Sequence, residues 1–166
     1  MGACPDSRNF EMLQKKKLTP GQALQKTRLY CASQERSHAE VKQKLHSYGL
    51  GKNDVEQILS QVIEEDYLNE ERFAAAYARG KFRMKQWGRI KIRYELKQKR
   101  VSEYCIKKAM KEIEEEEYAK TLRKLLEGKL MDLKTEKNTL IRKKKAVDYL
   151  LQKGYEMEMI LSFFKE

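Results

Sequence analysis

Arg89, Arg93, Lys97 and Arg100 stand at i, i+4, i+8 and i+11. On a helix those offsets form one stripe of cations. The chemistry open to such a stripe is electrostatic: its charged heads can meet phosphate oxygens or partner carboxylates. The stripe lies roughly 75° round the helix from the face of Ile92 and Leu96, which leaves the heads able to reach solvent or a partner. Arg72, Arg79 and Arg83 repeat the pattern upstream. A third cluster, Arg142-Lys143-Lys144-Lys145, is consecutive, so it points all round a helix. Only part of it can face one partner, with Arg142, Lys144 and Lys145 as the contact candidates. For any one of these cations a solvated helix face is the plain alternative.

Trp87, with Ile90 and Tyr94, makes a second apolar strip on the other side of the basic stripe. Packing between helical units is the expected use, and stacking on a nucleic-acid base is the sharper alternative. Catalysis finds little support. No glycine-rich loop ends in Lys-Ser or Lys-Thr, and no nucleophile elbow is identifiable. His38 and His46 lack ligand spacing, and Cys4, Cys31 and Cys105 form no metal-binding pairs. Glu64, Glu65 and Asp66 read as a helix end and linker, and Glu114 to Glu117 as an acidic first turn. No catalytic residue, metal or cofactor is expected.

Composition agrees with a binding protein. Net charge is +11, with 36 Lys and Arg against 25 Asp and Glu. That balance implies an anionic partner: nucleic acid, a nucleoprotein surface or a membrane face. Hydrophobic residues at 40% are too many for a disordered chain. No apolar run is long enough to span a bilayer, and the first residues lack a signal-peptide core. Three scattered cysteines fit reduced thiols. These features predict a cytoplasmic monomer.

The elements that must position the cations are helices. Both prolines, Pro5 and Pro20, lie near the start, so helices can run almost anywhere after them. Residues 1–18 read as a polar lead. Thr19-Pro20-Gly21-Gln22 then opens a helix, and Ser37-His38-Ala39-Glu40 is a second capping box. Asn69 can cap a helix starting at Glu70. Leu45, Leu96 and Leu150 recur about 50 residues apart, each near the end of a helical pattern and each followed five residues later by an apolar residue: Leu50, Val101 and Tyr155. Val41, Ile92 and Ala146 precede those leucines at i−4. Beyond them come matching stripes, with Val55, Ile58, Leu59 and Val62 in the first copy. Ile106, Ala109, Met110 and Ile113 follow in the second, and Ile160, Phe163 and Phe164 in the third.

An earlier helix opens each copy, carrying Leu24, Leu29 and Cys31, then Phe73, Ala76, Tyr77 and Met84, then Tyr118, Leu122, Leu125 and Leu126. Gly49 and Gly154 can supply the left-handed stop of the middle helix, with Arg100 at the equivalent place in the second copy. The expectation is all-α: three three-helix repeats over 19–65, 66–113 and 114–166. None could bury its apolar face alone, so neighbours should stack.

Several stretches resemble the RecX family over roughly residues 20–166. They include Glu35-Arg36-Ser37 with Glu40 and Leu45, and Gly88-Arg89-Ile90 with Glu95-Leu96. Asp66-Tyr67-Leu68-Asn69-Glu70-Glu71-Arg72-Phe73-Ala74 with Tyr77 and Lys81 is the most specific. Lys144-Lys145 and Tyr149-Leu150-Leu151-Gln152-Lys153-Gly154-Tyr155 resemble the third repeat. Arg100 stands where that family usually has glycine. The resemblance implies an elongated, curved stack of three-helix repeats that binds the RecA filament on single-stranded DNA. It further implies a non-enzymatic regulator that limits filament extension, ATP hydrolysis, strand exchange and co-protease activity. The competing expectation is a helical DNA-binding protein that competes for single-stranded DNA, and weak contact with single- or double-stranded DNA fits either reading.

Overall fold

The computed structural model describes residues 17–165. Cys4 and the expected lead, except Lys17 and Leu18, lie outside them. Leu18 is already tied down: its N–H donates to the Tyr48 carbonyl at 3.0 Å and its side chain packs on the first core. Nine helices and no strand occur among the described residues. They fall into two compact units, the first ending at Asn69 and the second beginning at Glu70.

The first unit holds α1 (Pro20–Ser33), α2 (His38–Ser47) and α3 (Lys52–Glu64). Thr19 and Ser37 each form the reciprocal capping box expected of them, with Gln22 and Glu40 as partners. The core comprises Ala23, Thr27 and Cys31 of α1, Val41 and Leu45 of α2, and Val55, Ile58 and Val62 of α3, closed by Leu50 and Leu68. Here α1 departs from expectation. Leu29 is exposed, and the buried face is the i, i+4, i+8 row of small residues instead. Thr27 can sit there because its hydroxyl donates to the Ala23 carbonyl at 2.7 Å.

The second unit holds α4 (Glu70–Lys85), α5 (Arg89–Gln98), α6 (Glu103–Met110), α7 (Glu115–Asp132), α8 (Thr139–Lys153) and α9 (Met157–Ser162). One continuous core serves all six helices. On α4 it takes Phe73, Ala74, Ala78 and Phe82, whereas Met84 is 82% exposed, against expectation. Tyr118, Leu122 and Leu126 of α7 and Ala146 and Leu150 of α8 complete it around Ile92 and Leu96 of α5.

A left-handed residue follows each middle helix: Gly49 at φ 82°, Arg100 at φ 59° and Gly154 at φ 93°. The chain must turn sharply there to bring Leu50, Val101 and Tyr155 back into the core, and the αL residue makes that turn. Glycine adopts it without strain, whereas arginine pays the Cβ clash.

Gly154 has a second duty. Its backbone meets the start of α5, where Gly88 N–H donates to the Lys153 carbonyl at 2.8 Å and Ile90 N–H to the Gly154 carbonyl at 3.0 Å. A Cβ on Gly88 would stand 2.2 Å from the Gly154 carbonyl oxygen, and one on Gly154 would stand 2.3 Å from Lys91 Cβ. Two outcomes follow for urea unfolding. Arg100→Gly should stabilise the protein by about 0.5–1 kcal/mol by removing the left-handed strain. Gly88→Ala should cost more than about 2 kcal/mol, because the clash is with backbone rather than with a flexible side chain.

Candidate functional site

The junction between α5 and α8 fixes the first turn of α5, and so the direction of its basic stripe. Arg89 begins the stripe, yet it is built into the fold. Its guanidinium grips Glu115 of α7, with Nη2 2.6 Å from Oε2 and Nη1 3.4 Å from Oε1. It lies 4.0 Å above the Tyr118 ring centre, and its Nη2 donates at 3.5 Å to the Ile113 carbonyl. The Arg89 N–H donates to the Tyr118 hydroxyl at 3.0 Å, and that hydroxyl donates to Glu156 at 2.7 Å. Tyr118 is fully buried and packs against Tyr155, ring centres 5.0 Å apart. Burial pushes both phenols well above the usual tyrosine range. The Arg89 hydrogen bonds hold the Glu115 carboxyl below its ordinary value.

Arg93 and Lys97 point outward from the next two turns. Both are held to one carboxylate, Glu103 at the start of α6, at 3.7 and 3.3 Å. One acid shared between two cations leaves both loosely held at half-exposed positions. Beside them Ile90 is 54% and Tyr94 59% exposed. Arg89, Ile90, Arg93, Tyr94, Lys97 and Glu156 together line a groove of about 390 Å³. The expected strip of Trp87, Ile90 and Tyr94 therefore splits. Trp87 packs partly buried against the core, with Lys81 Nζ 5.1 Å and Lys91 Nζ 4.6 Å from its ring centre. Ile90 and Tyr94 remain as an exposed apolar floor.

The other candidates disperse. On α4, Arg72 is half-buried, Arg79 pairs with Glu112 at 2.8 Å and Arg83 is exposed. Arg100 is exposed at the left-handed turn. The Arg142–Lys145 run lies on α8, outside this groove. Arg142 Nη2 donates to the Leu130 carbonyl in the last turn of α7 at 2.6 Å, Lys145 pairs with Glu136 at 3.0 Å, and Lys144 is exposed. Arg142 thus caps a helix C-terminus, where a cation is favoured. A larger concavity of about 550 Å³ runs along α3, lined by Glu56, Gln57, Ser60, Gln61, Glu64 and Glu65. All six belong to α3 and its cap, so it is a polar helix surface. Glu65 there takes a two-pronged bond from Arg28, at 2.8 and 2.6 Å.

Among the described residues, no group of three or more His, Cys, Asp and Glu is placed to hold a metal ion. Among them too, no helix is long and apolar enough to cross a membrane. Sequence reasoning missed Glu103, Glu115 and Glu156, since each acts across a turn or from another helix, where periodicity carries no signal.

Fold and surface together define an all-helical repeat protein that offers a basic, partly apolar face on α5. The family model of the second three-helix domain of RecX matches residues 69–110, and that of the third three-helix domain matches residues 115–164, together more than half of the chain. The chain belongs to the RecX family.

Regulatory protein RecX of Bacillus cytotoxicus is 28% identical over 132 residues, which cover 79% of this chain and 48% of that protein. The RecX of Clostridium botulinum strain Eklund 17B is 30% identical, over 79% of this chain and 61% of the relative. That of Prosthecochloris aestuarii is 29% identical, over 79% and 83%. The chain thus spans about half the length of the Bacillus relative and about three fifths of the Clostridium one. The crystal structure of RecX from Lactobacillus salivarius superposes with a TM-score of 0.79 at 20% identity, covering 88% of this chain and 94% of that one. At that identity the likeness speaks to the fold.

Arg89 and Arg93, one turn apart, should differ sharply on truncation. Arg89→Ala should lower unfolding free energy by about 1–2 kcal/mol, through the lost pair, the ring contact and the lost bond to the Ile113 carbonyl. Arg93→Ala should stay within about 0.5 kcal/mol of the wild type. The Glu115 pair also carries a pH signature. A carboxyl whose pKa is depressed on folding stabilises above the unfolded value of about 4.3 and loses that contribution as pH falls. Glu115→Gln should therefore be less stable than wild type at pH 7, with the gap closing below about pH 4 in parallel urea titrations.

Proposed function

We propose that the chain binds the RecA filament on single-stranded DNA. There it restrains filament extension, ATP hydrolysis, strand exchange and co-protease activity, with no catalytic step of its own. The observation that carries this reading is the groove on α5. Arg93 and Lys97, loosely held by the one carboxylate of Glu103, flank an exposed floor of Ile90 and Tyr94. Apolar floor and cationic rim suit a protein surface bearing carboxylates, where the charges speed encounter and the buried apolar contacts hold it. Membership in the RecX family supports the same reading. Naked DNA is the competing partner, favoured by the net charge of +11.

The test titrates the protein into a RecA ATPase reaction driven by single-stranded DNA, with binding to the same naked DNA measured at matched salt. Inhibition should set in well below the concentration that coats the DNA. The Arg93→Glu/Lys97→Glu protein should need at least about tenfold more for half inhibition, with its helical circular dichroism unchanged. Inhibition that appears only as naked DNA saturates would give the DNA-binding reading the lead.

A further inference from the structure

The third repeat is built longer than its predecessors. Its middle helix α8 has 15 residues, against 10 in both α2 and α5. Five extra residues extend it by roughly 7 Å. The first helix of the repeat, α7, reaches 18 residues. The core does not follow them. On α7 the last buried side chain is Leu126, and on α8 the first is Ala146. Everything between forms the outer end of a helical hairpin.

That end is ordered by its own devices. The Asn138 side chain caps α8 by accepting from the Leu140 and Ile141 N–H groups at 3.0 and 3.2 Å. Arg142 ties α8 to the Leu130 carbonyl of α7, and Lys145 ties it to Glu136. The apolar side chains there are nonetheless turned out: Met131 is 65%, Leu140 78% and Ile141 44% exposed. Around them, residues 129–145 hold seven Lys and Arg against two acids, Asp132 and Glu136. This stretch contains no aromatic residue.

A solvated hairpin end needs neither a fixed shape nor three exposed aliphatics within one end. We propose that it is a second docking element, seating Met131, Leu140 and Ile141 in an apolar pocket ringed by carboxylates on a recombinase subunit of the filament. The proposal rests on the filament reading above and adds a contact remote from the α5 groove. Charge complementarity argues for an acidic rim. The nearest rings, Tyr149 and Phe164, pack partly buried against the core with Lys129 and Lys143 over them, so the exposed apolar side chains of this end are aliphatic. Nucleic-acid platforms rely on ring stacking, whereas aliphatic anchors fit pockets in protein interfaces.

The experiment measures affinity of the full chain for a RecA filament assembled on oligo-dT with a non-hydrolysable ATP analogue. The same variants are assayed on naked oligo-dT, on duplex DNA and on phosphatidylglycerol vesicles. Met131→Ser/Leu140→Ser/Ile141→Ser should bind the filament at least about tenfold more weakly. Its DNA affinity and urea midpoint should match wild type, since all three side chains are exposed. Lys134→Glu/Lys137→Glu, which leaves the aliphatics in place, should weaken filament binding in the same direction. Unchanged filament affinity in the serine variant would overturn the proposal. So would a matching loss on DNA, which would make the occupant a nucleic acid, or vesicle binding that the serine changes abolish, which would make it a lipid surface. A wild-type protein that fails to bind the filament would sink the parent reading together with this one. A wild type that binds as tightly as the serine variant would sink this one alone.

Discussion

The second unit depends on a place where two backbones touch. Gly88 and the Lys153–Gly154 segment approach so closely that neither glycine could carry a side chain. Two main-chain hydrogen bonds close the contact. Tyr155 O–H adds a bond to the Gln86 carbonyl and Lys153 Nζ one to the Lys85 carbonyl, at 3.0 and 3.1 Å. Four bonds to main-chain atoms leave little freedom at the start of α5. The stripe of cations inherits that rigidity, and an interaction surface on a fixed helix loses less entropy on binding than one on a mobile loop.

The same junction explains how the basic residues divide. A net charge of +11 invites the reading that every arginine faces a partner. Instead the chain spends several on itself. Arg89 clamps α5 to α7 through Glu115 and Tyr118, Arg28 joins α1 to the end of α3 through Glu65, and Arg142 closes the end of α7. The Arg28 and Arg89 pairs are two-pronged, and Arg89 also lies over a ring, the uses for which arginine is better shaped than lysine. The outward positions hold looser contacts. Arg93 and Lys97 share one acid, and Lys108 pairs with Glu71 at the surface. A cation held loosely at the surface can change partners at small cost, whereas Arg89 would give up a two-pronged pair, a ring contact and a bond to the Ile113 carbonyl at once.

Local rules were the legible part of the fold. Caps at Thr19 and Ser37, the left-handed stops at Gly49 and Gly154, and the period of the middle helices all rest on interactions within a few residues. The stripes of α3 and α6 were legible for the same reason. Which apolar residues enter the core was less so. Leu29 and Met84 are as apolar as their neighbours, but Ala23, Thr27, Ala74 and Ala78 won the buried positions. Small residues let helices approach closely, and that demand comes from the neighbouring helix rather than from the sequence of α1 or α4 itself. The site followed the same division. Periodicity found the stripe on α5, while the acids that claim parts of it, Glu103, Glu115 and Glu156, arrive from elsewhere in the chain. Ile90, Tyr94 and Trp87 looked alike on a helical wheel, and only tertiary packing separated the buried ring from the exposed floor.

In the proposed complex the outward face of α5 meets protein in the filament. This contact is tested most directly by placing a photo-crosslinking phenylalanine analogue at Tyr94, with a matched control at Ser60 on the polar face of α3. Irradiation in the presence of filaments should join the Tyr94 probe to recombinase subunits, with little adduct from Ser60 and none when the recombinase is omitted. Adducts to the DNA strand alone, or to recombinase from Ser60 but not from Tyr94, would contradict the account.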